Sequence, residues 1–197
     1  MNALLTKLGV PEKVQRFFNA AELLFCYGEH FEHYGDSFHR VPTTTNLWIA
    51  GNEMAREVIV TSTAMETIAF LTINRHRYPD PEILTFLAIG NLAHPGQLNW
   101  IRDAFPKRKF TLVFGNDLLG RLADIKVGAG LHGKHVCLLR SDVRIRITCE
   151  NRLFEFEQDN LSLNAFEKMS GLRTGIRTHK PKEFNTFLDQ LKYDSRP

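Results

Sequence analysis

The chain has 197 residues, 43% of them hydrophobic and 24% charged, with a formal net charge of +3. This is the balance of one ordinary globular domain with a real core and small appendages. The three cysteines, Cys26, Cys137 and Cys149, form no C-x-x-C pair, and no apolar run reaches the roughly 18 residues of a membrane span. A zinc ribbon, a disulfide framework and a transmembrane protein are therefore not expected.

The charge excess is local. After residue 130 there are 12 Lys/Arg against 9 Asp/Glu, and before it 13 of each. A mildly basic balance is compatible with nucleic acid without demanding it. The start, MNALLTKLGVPEK, has no long apolar stretch and no small-residue cleavage site, and it reads as a mature cytoplasmic N-terminus.

Residues 2 to 8 and 11 to 24 have helical character, broken at Gly9 and Pro11. The aromatic, turn-rich stretch from Leu23 to Gly51 predicts short strands and a loop. From Glu57 the rhythm becomes regular. EVIVTS is a β-branched run, TAMETIAFLTINRHR has helical spacing, and ILTFLAIG is a second apolar run. HPGQLNWIRDAF follows as a helix with Pro95 in its first turn. KFTLVFG is a third strand, DLLGRLADIKVG a helix ended by Gly128 and Gly130, and HVCLLRS a fourth strand. Such alternation predicts an α/β fold with four parallel strands near 57–62, 85–90, 109–115 and 135–140, covered by helices on both faces. Beyond Ser141, VRIRITCENRLFEFEQD alternates like a hairpin turning at Glu150–Asn151. SLNAFEKMSGL and PKEFNTFLDQLKY read as short amphipathic helices, the first capped by Ser162. The expected organisation is an N-terminal extension (1–46), an α/β domain (47–141) and a small α+β tail (142–197).

In an open parallel sheet, ligands bind beyond the carboxyl ends of the strands. Here those ends are Thr61–Ser62, Gly90–Asn91 and Gly115–Asp117. Three stretches with this order, VIVTSTAMETIAFL, FLAIGNLAHPGQLNWI and LVFGNDLLGRLAD, resemble the Toprim domain of primases, topoisomerases, OLD-type nucleases and small mobile-element proteins. The resemblance covers roughly Leu47 to Ser141. It implies a parallel sheet with a Mg²⁺-associated acidic site. Ser62 stands where the family has its glutamate, and Gly115 stands for the first aspartate of D-x-D-x-x-G. Glu66, Asp117 and Gly120 match the family's second acid, second aspartate and glycine. The resemblance thus implies a degenerate site, with Glu66 and Asp117 as vestigial catalytic and metal residues. Mg²⁺ is a hard ion held through carboxylates, and a serine hydroxyl is a poor proton acceptor at neutral pH. Either no cofactor or a weakly held Mg²⁺ shared by Glu66 and Asp117, with Asp124 nearby, is expected. Asp117 also suits a helix cap.

Other patterns carry less. GAGLHGKH nearly spells a phosphate loop, but a helix precedes it and a strand follows. His30, His33 and His39 lie in an alternating aromatic segment without a supporting acid pattern for metal binding. Cys137 and Cys149 read as packing residues in strands. The basic stretches NRHR, KRK, RSDVRIR and LRTGIRTHKPK recur across the second half. The last places Arg173, Arg177, Lys180 and Lys182 in a Gly/Thr-rich segment without an acid, the pattern of a phosphate-contacting loop. The expected function is a nucleic-acid-associated, catalytically degenerate Toprim-like protein that binds DNA or RNA and no membrane, as in mobilisable elements. The alternatives are a Mg²⁺-dependent nuclease or primase-type enzyme with a rebuilt site, and a protein-interaction module or homo-oligomer.

Overall fold

The computed structural model describes residues 1–141 and 144–196. Asp142 and Val143, within the basic stretch RSDVRIR, and Pro197 lie outside the described residues. Two short helices, α1 (Ala3–Lys7) and α2 (Glu12–Phe17), open the chain. The helical pattern expected to run to residue 24 stops at Phe17, and Asn19 and Leu23 take positive φ as the chain turns into strand. A meander of β1 (Leu24–Tyr27), β2 (His30–Tyr34) and β3 (His39–Arg40) follows.

The central sheet has five strands, and the alternation from Glu57 onward builds most of it. Strands β5 (Glu57–Thr61), β6 (Leu84–Ala88) and β7 (Lys109–Val113) are parallel neighbours, with β5 in the middle. Their carboxyl ends are level, because Thr61 pairs with both Ala88 and Val113. On one edge β4 (Trp48–Gly51) runs antiparallel to β6. On the other edge β11 (Arg177–Thr178) runs parallel to β7. The connecting helices are α3 (Ala64–Ile73), α4 (Pro95–Ala104) and α5 (Leu118–Leu131).

The expected fourth strand is not in this sheet. Residues 136–141 form β8, which pairs antiparallel with β9 (Arg144–Cys149), itself paired with β10 (Arg152–Glu157). The fourth parallel position belongs to β11 instead. The reason lies in the burial of β8. Only Val136 is fully covered, and Leu139 is 59% exposed, so this strand has one wet face and cannot sit inside a doubly covered sheet. The hairpin turn is at Glu150 and Asn151, both at positive φ, as the sequence indicates. Cys149 is buried, whereas Cys137, expected to pack, faces outward.

The pleat of β5 to β7 divides the core. Ile59, Phe86 and Val113 point to the face covered by α1, α2, α3, the first meander and α7 (Phe187–Asp194). Val58, Val60, Leu87 and Leu112 point to the face covered by α4, α5, the second antiparallel sheet and α6 (Leu163–Ser170). The segments 1–46 and 142–197 are thus not appendages. The first supplies 10 of the 25 buried residues of one core, and the last both completes the sheet and covers α3.

Helix α5 runs through Gly128 and Gly130, which were expected to end it. Both are contact points. A Cβ on Gly128 would lie 2.9 Å from Leu163 Cδ1, and one on Gly130 would collide with Leu98 of α4. Small residues here let α4 and α6 approach α5 closely, which outweighs the roughly 1 kcal/mol helical cost of each glycine. Among the described residues no helix is long and apolar enough to cross a membrane.

Candidate functional site

The level carboxyl ends of β5, β6 and β7 are where a parallel sheet offers a ligand cleft. In this chain they are roofed by the chain itself. The first turn of α3, following β5, has its free N–H groups fully engaged. Thr63 Oγ1 accepts from Glu66 N at 3.0 Å. The carboxylate of Glu32, from β2, accepts from Ala64 N at 2.7 Å and Met65 N at 3.0 Å. Glu32 also accepts from Tyr27 Oη at 2.7 Å and is bonded to His39 Nε2 at 2.9 Å. A fully buried carboxylate is expensive unless its lone pairs are filled. Here four donors and the positive end of a helix fill them. Burial, then the nearby Glu32 charge, drives the Tyr27 phenol far above its ordinary value, so it stays a donor. Of the three histidines considered as metal ligands, His39 serves Glu32 and His33 stacks edge-on against Phe38.

Glu66 is 3% exposed and does a similar task for a different helix. It occupies the third helical position of α3, where a glutamate often bonds back to its own cap. Instead its Oε1 accepts from Phe187 N at 2.6 Å and its Oε2 from Leu188 N at 3.1 Å, so it caps α7. Burial pushes its carboxyl up to about 7, against the pull of those two N–H groups. Asp117 caps α5, accepting from Gly120 N at 2.8 Å.

Gly115 and Gly120 have steric reasons. A Cβ on Gly120 would collide with the backbone of Gly115, so only glycine lets α5 seat on the end of β7. A Cβ on Gly115 would lie 2.9 Å from Asp117 Oδ1 and 3.1 Å from Asn185 O. Asn116 N donates to that same Asn185 carbonyl at 2.7 Å. The tail therefore occupies the space that an aspartate at 115 would need. Residues 185–188 lie between Glu66 and Asp117, bonded to the backbone of Asn116 on one side and to the Glu66 carboxylate on the other. The two acids expected to share an ion are parted by this segment.

A cation does sit at the end of β7, and it is Lys180. Its Nζ lies 2.6 Å from Asp124 Oδ2 and donates to Gly115 O at 2.8 Å and Phe114 O at 3.1 Å. Asp124 is 2% exposed, and its other oxygen, Oδ1, has no hydrogen-bond partner among the described residues. Burial pushes the Asp124 carboxyl up to about 6, opposed by Lys180, and burial pulls the Lys180 ammonium down. A divalent ion does not fit this donor set. Glu66 is spent on α7, Asp117 on α5 and Asp124 on a lysine, and among the described residues no three His, Cys, Asp or Glu gather as a metal site.

The remaining motifs are structural. Gln97, within the QL of the second stretch, is 1% exposed and ties α4 to the end of β6 by donating to Ile89 O at 2.8 Å and Asn46 O at 2.6 Å. The GAGLHGKH segment spans the end of α5 and the turn into β8, with no helix after it.

Of the four basic residues expected to contact phosphate, Lys180 turns inward and the other three are exposed. They do not crowd a loop. The segment is extended along β7, with Arg177 opposite Thr111 and His179 N donating to Leu112 O. Arg173 thus lies toward the amino end of β7 and Lys182 beyond its carboxyl end. At the amino end, Thr174 to Ile176 share a cavity wall with Lys107, Arg108 and Lys109. Two basic stretches more than sixty residues apart meet there.

No family model matches the chain, and comparisons with curated proteins and with solved structures return no match.

Sequence reasoning missed Glu32, Lys180 as an internal cation, and the roofing by the tail. Glu32 had a signal. It shares the inward face of β2 with Tyr34, and an acid at an inward strand position demands partners. Asp124 had one too, one turn from Gly120 and one from Gly128 on the packed face of α5. Lys180 had none, since its partner lies 56 residues away.

Proposed function

We propose that the chain is a catalytically degenerate, Toprim-like nucleic-acid-associated protein, of the kind carried by mobilisable elements. It binds a polynucleotide along the basic edge of its sheet and performs no metal-dependent chemistry on it. The observation that carries this reading is the pairing of a closed cleft with an open basic edge. Glu66, Asp117 and Asp124 are each committed to a helix cap or an ion pair. Arg173, Arg177 and Lys182 stay exposed along β11, and Lys107 and Lys109 are exposed beside them. Lys and Arg released from internal partners are what phosphate contacts require, because each neutralised phosphate frees condensed counterions. The three motif-bearing strands β5, β6 and β7 support the Toprim resemblance. The fourth strand of the expected sheet does not contribute to it.

Filter binding with single-stranded and duplex DNA tests the proposal. The combined variant Arg173→Ala, Arg177→Ala, Lys182→Ala should bind every sequence more weakly to a similar degree. A control, Lys13→Ala with Arg16→Ala on α2, should bind like the parent. Complexes incubated with Mg²⁺ should keep their strands uncut. Equal affinity of the variant and the parent would remove the proposal.

One observation favours the interaction-module reading. An apolar groove of about 410 Å³ is lined by Leu47 and Ile49 beside edge strand β4 and by Trp100, which is 47% exposed. An unpaired strand edge with apolar neighbours is a surface on which an extended peptide can add a strand.

A further inference from the structure

We infer that the cavity at the amino end of β7 is a nucleotide site that takes a terminal phosphate. It is distinct from the roofed strand-end cleft, and it rests on the nucleic-acid reading only for its biological ligand. The cavity has about 380 Å³, within the range of small-ligand pockets, and lies between the loop joining α4 to β7, the end of α5 and the Thr174–Ile176 segment. Its wall divides by chemistry. Arg102, Lys107, Arg108 and Lys109 supply the charge, and Phe110 and Ile176 supply an apolar side for a sugar and base.

Cations at a helix C-terminus have an ordinary explanation, since they offset the dipole. The charge count exceeds that need. Arg173 adjoins Thr174 of the wall, which with the four lining cations gives five. Two acids stand nearby: Asp103 on Arg102 Nε, and Glu167 on the backbone and hydroxyl of Thr174. The C-termini of α4 and α5 together amount to roughly one further negative charge. About two positive charges remain, which matches the roughly −1.5 to −2 of a phosphate monoester better than the single charge of a diester.

The loop geometry is committed as well. Lys107 takes φ +60, an unfavourable backbone for a side-chain-bearing residue, in the turn that presents it. Arg108 Nη1 is anchored to Met54 O at 3.1 Å, which fixes the guanidinium.

The test uses the full chain and a fluorescent oligothymidylate bearing either a 5′-phosphate or a 5′-hydroxyl, with dTMP and thymidine as competitors. The 5′-phosphate should tighten binding about tenfold, the scale of one charge-assisted hydrogen bond, and dTMP but not thymidine should compete. The variant Lys107→Gln with Lys109→Gln, both exposed positions, should bring the ratio near one without changing the fold. If both oligonucleotides bind alike and dTMP does not compete, the pocket is refuted while the nucleic-acid reading stands. If dTMP binds the parent and not the variant but neither oligonucleotide binds, the pocket stands and the nucleic-acid reading falls. Absence of all binding overturns both.

Discussion

Replacing Glu66 by glutamine should remove the pH dependence of part of the protein's stability. The Glu66 carboxyl is raised from 4.5 to about 7, first by burial. The folded state therefore holds a proton that the unfolded state has released between these pH values. The contribution is fully present below about pH 4.5 and is lost as pH rises through about 7, so stability falls across this window. At about 1.4 kcal/mol per pH unit, the loss attributable to Glu66 is about 3 kcal/mol. The protonated carboxyl can still accept from both Phe187 N and Leu188 N, because its hydroxyl oxygen keeps lone pairs. A glutamine offers one oxygen and one NH₂ group, so one buried N–H loses its acceptor at about 1–3 kcal/mol, independent of pH. The variant should be the less stable protein near pH 4.5 and equal or better near pH 8. Asp124 titrates in the same direction, but it is common to both proteins and cancels in the difference. Urea denaturation followed by tryptophan fluorescence at pH 4.5, 6 and 8 measures this, with Trp48 buried in the core that α7 covers. A difference that stays constant across these pH values would refute the placement of Glu66 as a buried, near-neutral cap of α7.

Lys180→Met should cost about 3–5 kcal/mol by stranding the buried Asp124 charge, and adding Asp124→Leu should return most of it. A loss below about 1 kcal/mol on denaturation would show the pair to be solvated. Gly120→Ala should lower the thermal midpoint although alanine is the better helix former by about 1 kcal/mol, because its Cβ meets the Gly115 backbone. An unchanged or higher midpoint would contradict the seating of α5 on β7. No Mg²⁺-dependent cleavage or polymerisation should be measurable with labelled DNA or RNA, and turnover abolished by Asp117→Asn would show that the site had been misread.

Local rhythm made most of the elements legible before any coordinates. The runs at 57–61, 84–88 and 109–113 are parallel neighbours, and Ser162 caps α6, accepting from Ala165 N at 3.1 Å. The errors have one source. Periodicity reports the burial of a segment but not its partner. The run at 136–141 reads as another buried strand, yet its partner is the hairpin that follows it. Gly128 and Gly130 read as a helix stop, yet they are the places where α6 and α4 press on α5. The roles of the candidate acids depend on the tail. Phe187, Leu188, Asn185 and Lys180 lie 56 to 64 residues beyond Asp124, where the last strand-end motif stops, and nothing local announces that this stretch returns across the strand ends. The same return splits the basic segment, turning Lys180 inward and leaving Arg173, Arg177 and Lys182 outside.

The proposal of nucleic-acid binding by a basic edge beside a closed cleft is tested most directly by the salt dependence of affinity for duplex DNA. Between about 50 and 200 mM salt, log K should fall linearly with log salt, at about −0.9 for each phosphate contact. The exposed Arg173, Arg177 and Lys182 should account for about −3 of that slope, and their joint change to alanine should remove it. Lys180→Met should leave the slope unaltered, since that ammonium is held by Asp124. Failure of the parent to bind duplex or single strands at the lower salt concentration would contradict the account and favour the interaction-module reading instead.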